Sequence, residues 1–366
     1  MPPTLESDFI ARSQAPDMSV ALEPAHNVLN SMVLLNAVDK LSGLDEWVTR
    51  TVADLSPTQL HRNRLVFEGL YYAIQPDRRW PSFSTYLDHL ARQDPVELRD
   101  RLLWQLCRAC AEQTPAGVER AQLAEPQSLL TSVDAYIGFL QANFFEIDVK
   151  IETEAYGLFT DPPRMQDLIV GHISGLWHER LAPEWERVKP VLQESVGALQ
   201  QVDLSRLSGF EAMRAVTGQE PHEKWEQIIA NSRQIIFVPS AHLGPYLRKF
   251  KEEGQLWVLF GARLPAGLPA SSSALSRSDL LVRLSALTDD TRLRMLALLS
   301  QHDELCAQDI MVQLDLSQSA ASRHLRQLSA TGYITERRRD AAKCYSLNRE
   351  RIDDTFRALD QFLARP

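Results

Sequence analysis

A mainly α-helical protein in two parts is predicted: a large helical N-terminal domain with a few short strands, joined to a C-terminal domain of helices and one β-hairpin. The chain has 366 residues, which is more than one ordinary domain needs. Apolar residues recur every three or four positions through most of it, as on one face of a helix. A segment of small, polar and proline residues at 265–276 follows all seven tryptophans and separates two parts of different charge.

These observations divide the chain into four predicted segments. Residues 1–18 lack apolar periodicity and are expected to form a flexible tail. Residues 19–264 form the helical N-terminal domain, 265–275 a linker, and 276–366 the C-terminal domain. Within the first domain, the stretches 60–73, 98–111 and 181–200 have helical spacing, and two short apolar runs at 235–238 and 256–260 are expected to pair as strands.

The composition is that of a soluble globular protein, with 44% hydrophobic and 24% charged residues. No apolar run approaches the roughly 20 residues that span a bilayer, and the first residues do not resemble a secretory signal. Four cysteines in so long a chain fit a reducing compartment better than a disulfide framework. A cytoplasmic location is therefore expected.

The C-terminal domain begins with an amphipathic helix and then a second helix, which Asp289 or Asp290 is placed to cap. Two short helices, 307–314 and 318–329, are predicted to meet at a tight turn through Asp315 and Leu316. Ser317 is placed to cap the second of them, and Gly332 to end it.

The second short helix divides its residues between two faces. Its apolar residues step by three to five positions and are expected to pack inward: Leu316, Ala321, Leu325 and Leu328. The outer face keeps short hydroxyls and long hydrogen-bond donors: Gln318, Ser319, Ser322, Arg323 and Arg326. Such side chains suit the major groove of DNA, where Arg pairs with guanine and Gln with adenine.

A predicted β-hairpin with a charged tip follows at 334–348. Although the whole chain carries a net charge of −9, residues 317–349 hold seven basic side chains against two acidic ones. Salt screens distant charges, so a phosphate backbone responds more to this local excess of positive charge than to acidic residues elsewhere in the chain. Double-stranded DNA is therefore the expected partner, although a solvated helix face and a solubilising loop are the plainer interpretations of the two features taken singly.

The expected DNA contacts come from the helix, its cap and the hairpin: Ser317, Gln318, Ser319, Ser322, Arg323, His324, Arg326, Gln327, Arg337, Arg338, Arg339, Lys343 and Tyr345.

The segments ALTDDTRLRMLALL, ELCAQDIMVQLDLSQSAASRHLRQLSATGYI and ERRRDAAKCYSL resemble the ArsR-type winged helix-turn-helix regulators. The resemblance implies a repressor that acts as a homodimer, pairing through the first and last helices of the domain, here 276–287 and 349–364. The implied dimer residues are Leu280, Leu284, Ile352, Phe356 and Leu359. Two recognition helices would then lie roughly 34 Å apart and read a near-palindrome. An intrachain core contact is the alternative for the apolar stripe of the last helix.

The chain departs from the metal-sensing members of that family. They carry two cysteines one residue apart, where this chain has Cys306, Ala307 and Gln308, and the last helix contains no histidine. Because zinc needs four ligands, a single thiolate makes a poor site, and we expect no metal and no other cofactor. Cys306 is expected to be a small buried apolar residue.

The N-terminal domain is expected to bind an effector that controls the dimer. The segments SPTQLHRNRLVFEGLYYAI, LAPEWERVKPVLQESV, LSGFEAMRAVTG and IIFVPSAHLGPYL look like the long N-terminal extension of a subset of ArsR-type regulators. The aromatic residues of this domain have two interpretations: they line an apolar ligand pocket, or they simply fill the core. These residues are Tyr71, Tyr72, Trp80, Trp104, Phe144, Phe145, Trp177 and Trp225.

Three other roles for this domain remain open: a protein-interaction scaffold, a redox sensor built on Cys107 and Cys110, and an enzyme that the C-terminal domain tethers to DNA. No nucleophile elbow, phosphate-binding glycine loop or HExxH motif is present. We therefore expect no enzymatic activity.

Overall fold

A computed structural model describes residues 16–113, 125–144, 147–219, 224–252, 254–263, 277–339 and 342–364. The chain divides into two compact units. The first comprises residues up to 21, 193–239 and 245 onward, and the second comprises 22–192 and 240–244. The domain expected over 19–264 is thus shared between both units. The expected linker at 265–275 lies outside the described residues.

The second unit is helical, which confirms the mainly α prediction. Its helices are α1 Pro24–Leu34, α2 Glu46–Asp54, α3 Pro57–Arg64, α4 Phe83–Arg92, α5 Pro95–Gln113, α6 Val133–Asn143, α7 Val149–Phe159, α8 Pro162–Leu176 and α9 Ala182–Leu199, the last of which continues into the first unit. Polar residues fix where several of them begin: the side chains of Asp45, Ser56 and Asp148 each accept a hydrogen bond from a backbone N–H of the first turn.

One π-helical turn, Trp177–Leu181, joins α8 to α9 into a nearly continuous helix. Such turns insert one residue into the helix and re-aim the side chains that follow, frequently at functional sites. A second π turn, Leu65–Gly69, follows α3. In the described part of the chain, no helix is both long and apolar enough to cross a bilayer.

The first unit contains a four-stranded sheet with helices α10 Gly209–Thr217 and α11 Lys224–Ala230. Its strands are β1 Asp17–Val20, β2 Gln234–Ser240, β3 Arg248–Glu252 and β4 Gln255–Gly261, in the order β1-β2-β4-β3. The two predicted strands, β2 and β4, are indeed neighbours. Their cores are continuously apolar and buried, as expected for strands covered on both faces. Strand β1 begins at Asp17, inside the predicted tail, and pairs in parallel with β2.

The rest of the first unit is a winged helix. It comprises α12 Arg277–Ala286, α13 Asp290–Leu299, β5 Leu305–Cys306, α14 Ala307–Leu314, α15 Gln318–Thr331, β6 Ile334–Arg339, β7 Ala342–Leu347 and α16 Arg349–Leu363. Strands β6 and β7 form the predicted hairpin, and β5 pairs with the other edge of β7. Met295, Ile310, Leu325 and Leu328 lie in one buried cluster that holds the helices to the hairpin.

A disulfide joins Cys306 to Cys344, which corrects the expectation that Cys306 is a lone apolar residue. The register of the small sheet explains the pairing, because Cys306 on β5 lies directly opposite Cys344 on β7. Cys344 is completely buried, whereas Cys306 is partly exposed at the beginning of α14. The bond therefore ties the wing to the first helix of the helix-turn-helix.

Reduction of this disulfide should destabilise the winged helix. The bond closes a segment of 38 residues, for which chain entropy gives a loss of about 4 kcal/mol in the free energy of unfolding. Hydrogen exchange of the α14 and β7 amides, followed by mass spectrometry with and without a phosphine reductant, measures the change locally.

Two controls belong to this experiment. Amides of β4 should exchange at the same rate in both conditions, and Cys306→Ser should remove the response to the reductant. An unchanged exchange rate in the wild-type winged helix, or a response that survives in Cys306→Ser, contradicts the stabilising role of the bond.

Candidate nucleic-acid interface

The turn between α14 and α15 sets the direction of the candidate recognition helix. Asp315 has a φ of 53°, in the left-handed region, and the N–H of Leu316 bonds to the carbonyl of Met311 at 3.0 Å. Asp tolerates this backbone conformation better than a branched residue does. The Ser317 hydroxyl then accepts from the N–H of Ala320 at 3.3 Å, so the predicted turn and cap are both present.

The inner face of α15 holds it against the rest of the winged helix. Ala321, Leu325 and Leu328 are at most 2% exposed and belong to the buried cluster. Gly332, with a φ of 80°, ends the helix, and the Tyr333 hydroxyl after it donates to the carbonyl of Arg283 at 3.1 Å. These contacts leave the helix little freedom to rotate about its axis.

The outer face of α15 presents the side chains that the sequence places there. Gln318, Ser319 and Arg326 are exposed, and Ser322 and Arg323 are half-buried. The Nε atom of Arg323 is buried without a hydrogen-bond partner among the described residues. Hydroxyl, amide and guanidinium groups therefore lie along one accessible strip of a rigid helix, with Ser317 at its N-terminal end.

Three residues expected at this interface are buried, which corrects their inclusion: His324, Gln327 and Tyr345 are 5%, 1% and 5% exposed. Position 324 lies three residues after the buried position 321 and four before the buried position 328, and position 327 lies three after 324, so both share the inner side of the helix. Burial lowers the pKa of His324, although Asp289, with its Oδ1 atom 3.6 Å from Nδ1, opposes the shift. His324 therefore packs on the inner side of α15, away from the exposed strip.

The hairpin supplies the basic groups beside the helix. Arg337, Arg339 and Lys343 are exposed, whereas the side chain of Arg338 lies outside the described residues. Lys343 Nζ is 2.8 Å from a carboxylate oxygen of Glu336. Because Lys343 must exchange this partner to bind a phosphate, Arg337 and Arg339 are the better phosphate-binding candidates.

Helices α12 and α16 carry an exposed apolar surface. Leu281 is 57% exposed, Phe356 52% and Leu363 70%. Of the expected dimer residues, Leu280 is only 3% exposed and Ile352 packs against the core cluster, while Leu284 and Leu359 are half-buried. The structure thus turns Leu280 inward and its neighbour Leu281 outward, a distinction that two adjacent leucines do not reveal in sequence.

The Cys107 and Cys110 thiols are poorly suited to redox sensing. Both are buried. Burial raises the pKa of Cys107, and burial together with the neighbouring Cys107 raises the pKa of Cys110 to about 12. Since the thiolate is the reactive form, these groups are largely unreactive at neutral pH.

The described aromatic residues of the expected ligand pocket lie in different surroundings. Trp104 is 49% exposed, and Trp225 packs in the sheet cluster of the first unit. Trp177 packs against Phe83 with ring centroids 4.8 Å apart, as core residues do. Phe145 lies outside the described residues. The core interpretation therefore fits Trp177, and none of the described aromatic residues of this set lines the small cavity beside Trp185.

Comparison with known proteins agrees with this geometry. A family model described as "Bacterial regulatory protein, arsR family" matches residues 289–336, from the cap of α13 into β6. The arsenic resistance transcriptional regulator ArsR1 of Pseudomonas putida is 42% identical over 64 residues, which cover 18% of this chain and 50% of that protein.

Two further relatives are covered over more of their length. ArsR2 of Pseudomonas putida is 36% identical over 86 residues, 22% of this chain and 75% of that protein. The arsenical resistance operon repressor of Staphylococcus xylosus is 35% identical over 86 residues, 24% of this chain and 82% of that protein. The match to the family model falls on the winged helix that carries the exposed strip of α15. By the structure of this domain and by these relatives, the chain belongs to the arsR family of bacterial regulatory proteins.

Proposed function

We propose that this protein is a DNA-binding transcriptional repressor that acts as a homodimer on a near-palindromic operator, under the control of an effector bound by its N-terminal region. The observation that carries the proposal is the accessible strip of Gln318, Ser319, Ser322 and Arg326 on α15, next to an arginine-bearing hairpin. Repression is supported by the Staphylococcus xylosus relative, which is an arsenical resistance operon repressor.

Helix and hairpin have different roles in this proposal. Arg323, Arg326 and Gln318 lie on α15, where side chains of this type pair with base edges in the major groove. The exposed arginines of the hairpin instead meet the phosphate backbone, which carries no sequence information directly. The helix therefore supplies specificity, and the hairpin supplies affinity that depends on salt.

Replacing Arg323 and replacing Arg339 should have distinct effects. Arg323→Ala should cost about 1–3 kcal/mol in binding to the selected operator and relax preference at one base position. Arg339→Ala should weaken binding to all sequences and reduce the salt slope by about 1. Fluorescence anisotropy on the selected operator and on scrambled DNA, across a salt series, measures both effects.

Arg206→Ala is the matched control, because Arg206 is 85% exposed and lies far along the chain from the winged helix. Its affinity and salt slope should equal those of the wild type. If Arg323→Ala and Arg339→Ala change binding in the same way, the separate roles of helix and hairpin are wrong.

The proposed homodimer is supported by the apolar surface of α12 and α16. Leu281 on α12 and Phe356, Phe362 and Leu363 on α16 are exposed apolar residues, and the two helices pack against each other. A second copy of the same surface covers it in an isologous dimer, the commonest symmetric arrangement. Two α15 helices in such a dimer face successive major grooves, roughly 34 Å apart.

A charge at this surface should separate the dimer. Phe356→Asp should yield monomers in analytical ultracentrifugation and lose most affinity for the full operator, because burying an unpaired carboxylate in an apolar interface is unfavourable. Val191→Asp is the control, since Val191 is 59% exposed on α9. A wild-type monomer at concentrations that saturate DNA, or a Phe356→Asp dimer, argues against this interface.

The relatives do not identify the effector of this chain. Their names connect them with arsenic, but in this chain Cys306 lacks a second cysteine at position 308 and is bonded to Cys344. Control requires only that the effector binds two conformations of the dimer with different affinities. A coupling free energy of about 1–3 kcal/mol changes operator affinity roughly 5- to 150-fold.

A further inference from the structure

We propose that Cys306 and Cys344 form a thiol-oxidation site, at which a hydroperoxide closes the disulfide and thereby raises the affinity of the winged helix for its operator. The effect on DNA binding rests on the function proposed above. Both cysteines lie in the winged helix itself. The site is therefore a second means of control, separate from an effector bound by the N-terminal region.

The two cysteines differ in their access to solvent, which assigns their roles. Cys306 is partly exposed at the beginning of α14, whereas Cys344 is completely buried on β7. A dissolved oxidant or reductant therefore reaches the sulfur of Cys306 first. The other two cysteines, Cys107 and Cys110, are both buried, and burial raises the pKa of each thiol. Since oxidation selects exposed thiolates, Cys306 is the preferred target of the four.

The small sheet places the second thiol directly opposite the first. Strand β5 has only two residues, and its pairing with β7 puts Leu305 opposite Tyr345 and Cys306 opposite Cys344. Redox-sensing cysteines are often accessible to solvent and lie next to a second thiol that resolves the oxidised intermediate. This pair has both properties, so Cys306 is the attacking cysteine and Cys344 the resolving one.

The oxidation balances in two steps. The Cys306 thiolate first attacks one oxygen of the hydroperoxide: an S–O bond forms, the O–O bond breaks, and the second oxygen takes up a proton and leaves as water or an alcohol. The sulfur of Cys344 then attacks the sulfur of the Cys306 sulfenic acid: the S–S bond forms, the S–O bond breaks, and water leaves. The hydroperoxide gains two electrons, one from each cysteine. Glutathione, oxidised to its own disulfide, restores both thiols.

The disulfide joins the two parts of the winged helix that are proposed to contact DNA. Cys306 begins α14, which the turn at Asp315 connects to α15. On the other side, Cys344 lies opposite Arg337 of β6, so Cys306, Cys344 and Arg337 occupy one row across the three strands. A candidate phosphate-binding arginine of the hairpin is therefore tied, through the disulfide, to the helix that positions α15.

The hairpin and the helices have other contacts that hold them when the bond is open. Strands β6 and β7 pair from Ile334 and Leu347 to Arg339 and Ala342, and α14 keeps Ile310 in the buried cluster. Reduction should therefore loosen the short contact of β5 with β7 and leave the rest folded. Because α15 and the hairpin contact DNA together, the reduced protein must order this contact on binding, which weakens binding.

The operator affinity of the full-length protein in its two thiol states tests the proposal. The protein is reduced with a phosphine, freed of it and titrated with hydrogen peroxide, while peptide mass spectrometry follows the bond. The oxidised form should bind the selected operator about tenfold more tightly in fluorescence anisotropy, and glutathione should reverse the change. Equal affinities, tighter binding by the reduced form, or a bond that glutathione fails to reduce overturns the proposal.

Cysteine variants identify the reacting sulfur. In Cys344→Ser, hydrogen peroxide should leave a sulfenic acid on Cys306, which dimedone labels. In Cys306→Ser, dimedone should not label the buried Cys344, and peroxide should no longer change operator affinity. The second variant decides the point alone if Cys344→Ser folds poorly. A peroxide response that survives in Cys306→Ser, or labelling of Cys344 in it, contradicts the assigned roles.

Cys110→Ala is the matched control, because Cys110 belongs to the other, buried pair of cysteines. Its operator affinity should rise with peroxide as in the wild type, and loss of that response would place the sensitive thiol outside the winged helix.

Folding and DNA binding are measured separately. Hydrogen exchange should show the α13 and β6 amides still protected in the reduced protein, and loss of this protection means that reduction unfolds the domain, which overturns the local effect. If neither thiol state binds any DNA sequence, the proposed function fails and the control of DNA binding fails with it. Dimedone labelling of Cys306 still decides whether the oxidation site exists.

Discussion

The direction in which α15 presents its polar face depends on how its inner face is packed. Ala321, Leu325 and Leu328 are held in the core, and the left-handed residue Asp315 fixes the angle at which the helix leaves α14. A helix held in this way turns only one strip of side chains outward. Apolar packing on one side of α15 therefore sets the positions of Arg326 and Gln318 on the other side. A substitution that loosens this packing should also reduce the sequence specificity of the proposed DNA binding.

Much of this arrangement was predictable from local sequence, because it depends on neighbours three or four residues apart. The cap at Ser317, the end at Gly332 and the inward face of α15 follow from residue type and helical period. The same period assigns His324 to the inner side, yet its polar side chain suggested a DNA contact. The imidazole is 5% exposed and packs inside the winged helix, so its position on the helix, and not its residue type, decides what it contacts.

Features that depend on distant pairing were not predictable. Cys306 and Cys344 are 38 positions apart, and only the register of β5 on β7 places them opposite each other. The early strand β1 pairs with β2 more than two hundred positions later, so its four residues carry no local signal of their own. Leu280 and Leu281 are equally apolar, and the packing of α12 on the rest of the domain decides which of them stays exposed.

The buried hydrogen-bond network around His242 is the extreme case, because Ser31 and His242 are separated by 211 positions. A buried network of hydroxyl, imidazole, carboxylate and guanidinium groups is seldom the most stable way to fill a protein interior. Apolar residues of similar volume often stabilise as well or better. When one member of such a network loses its partner, a buried polar group is left without a hydrogen bond, which is strongly unfavourable. The network therefore holds its members in one geometry. In this protein the network holds Ser31, His242 and Glu184 together, although they come from three segments far apart in the chain.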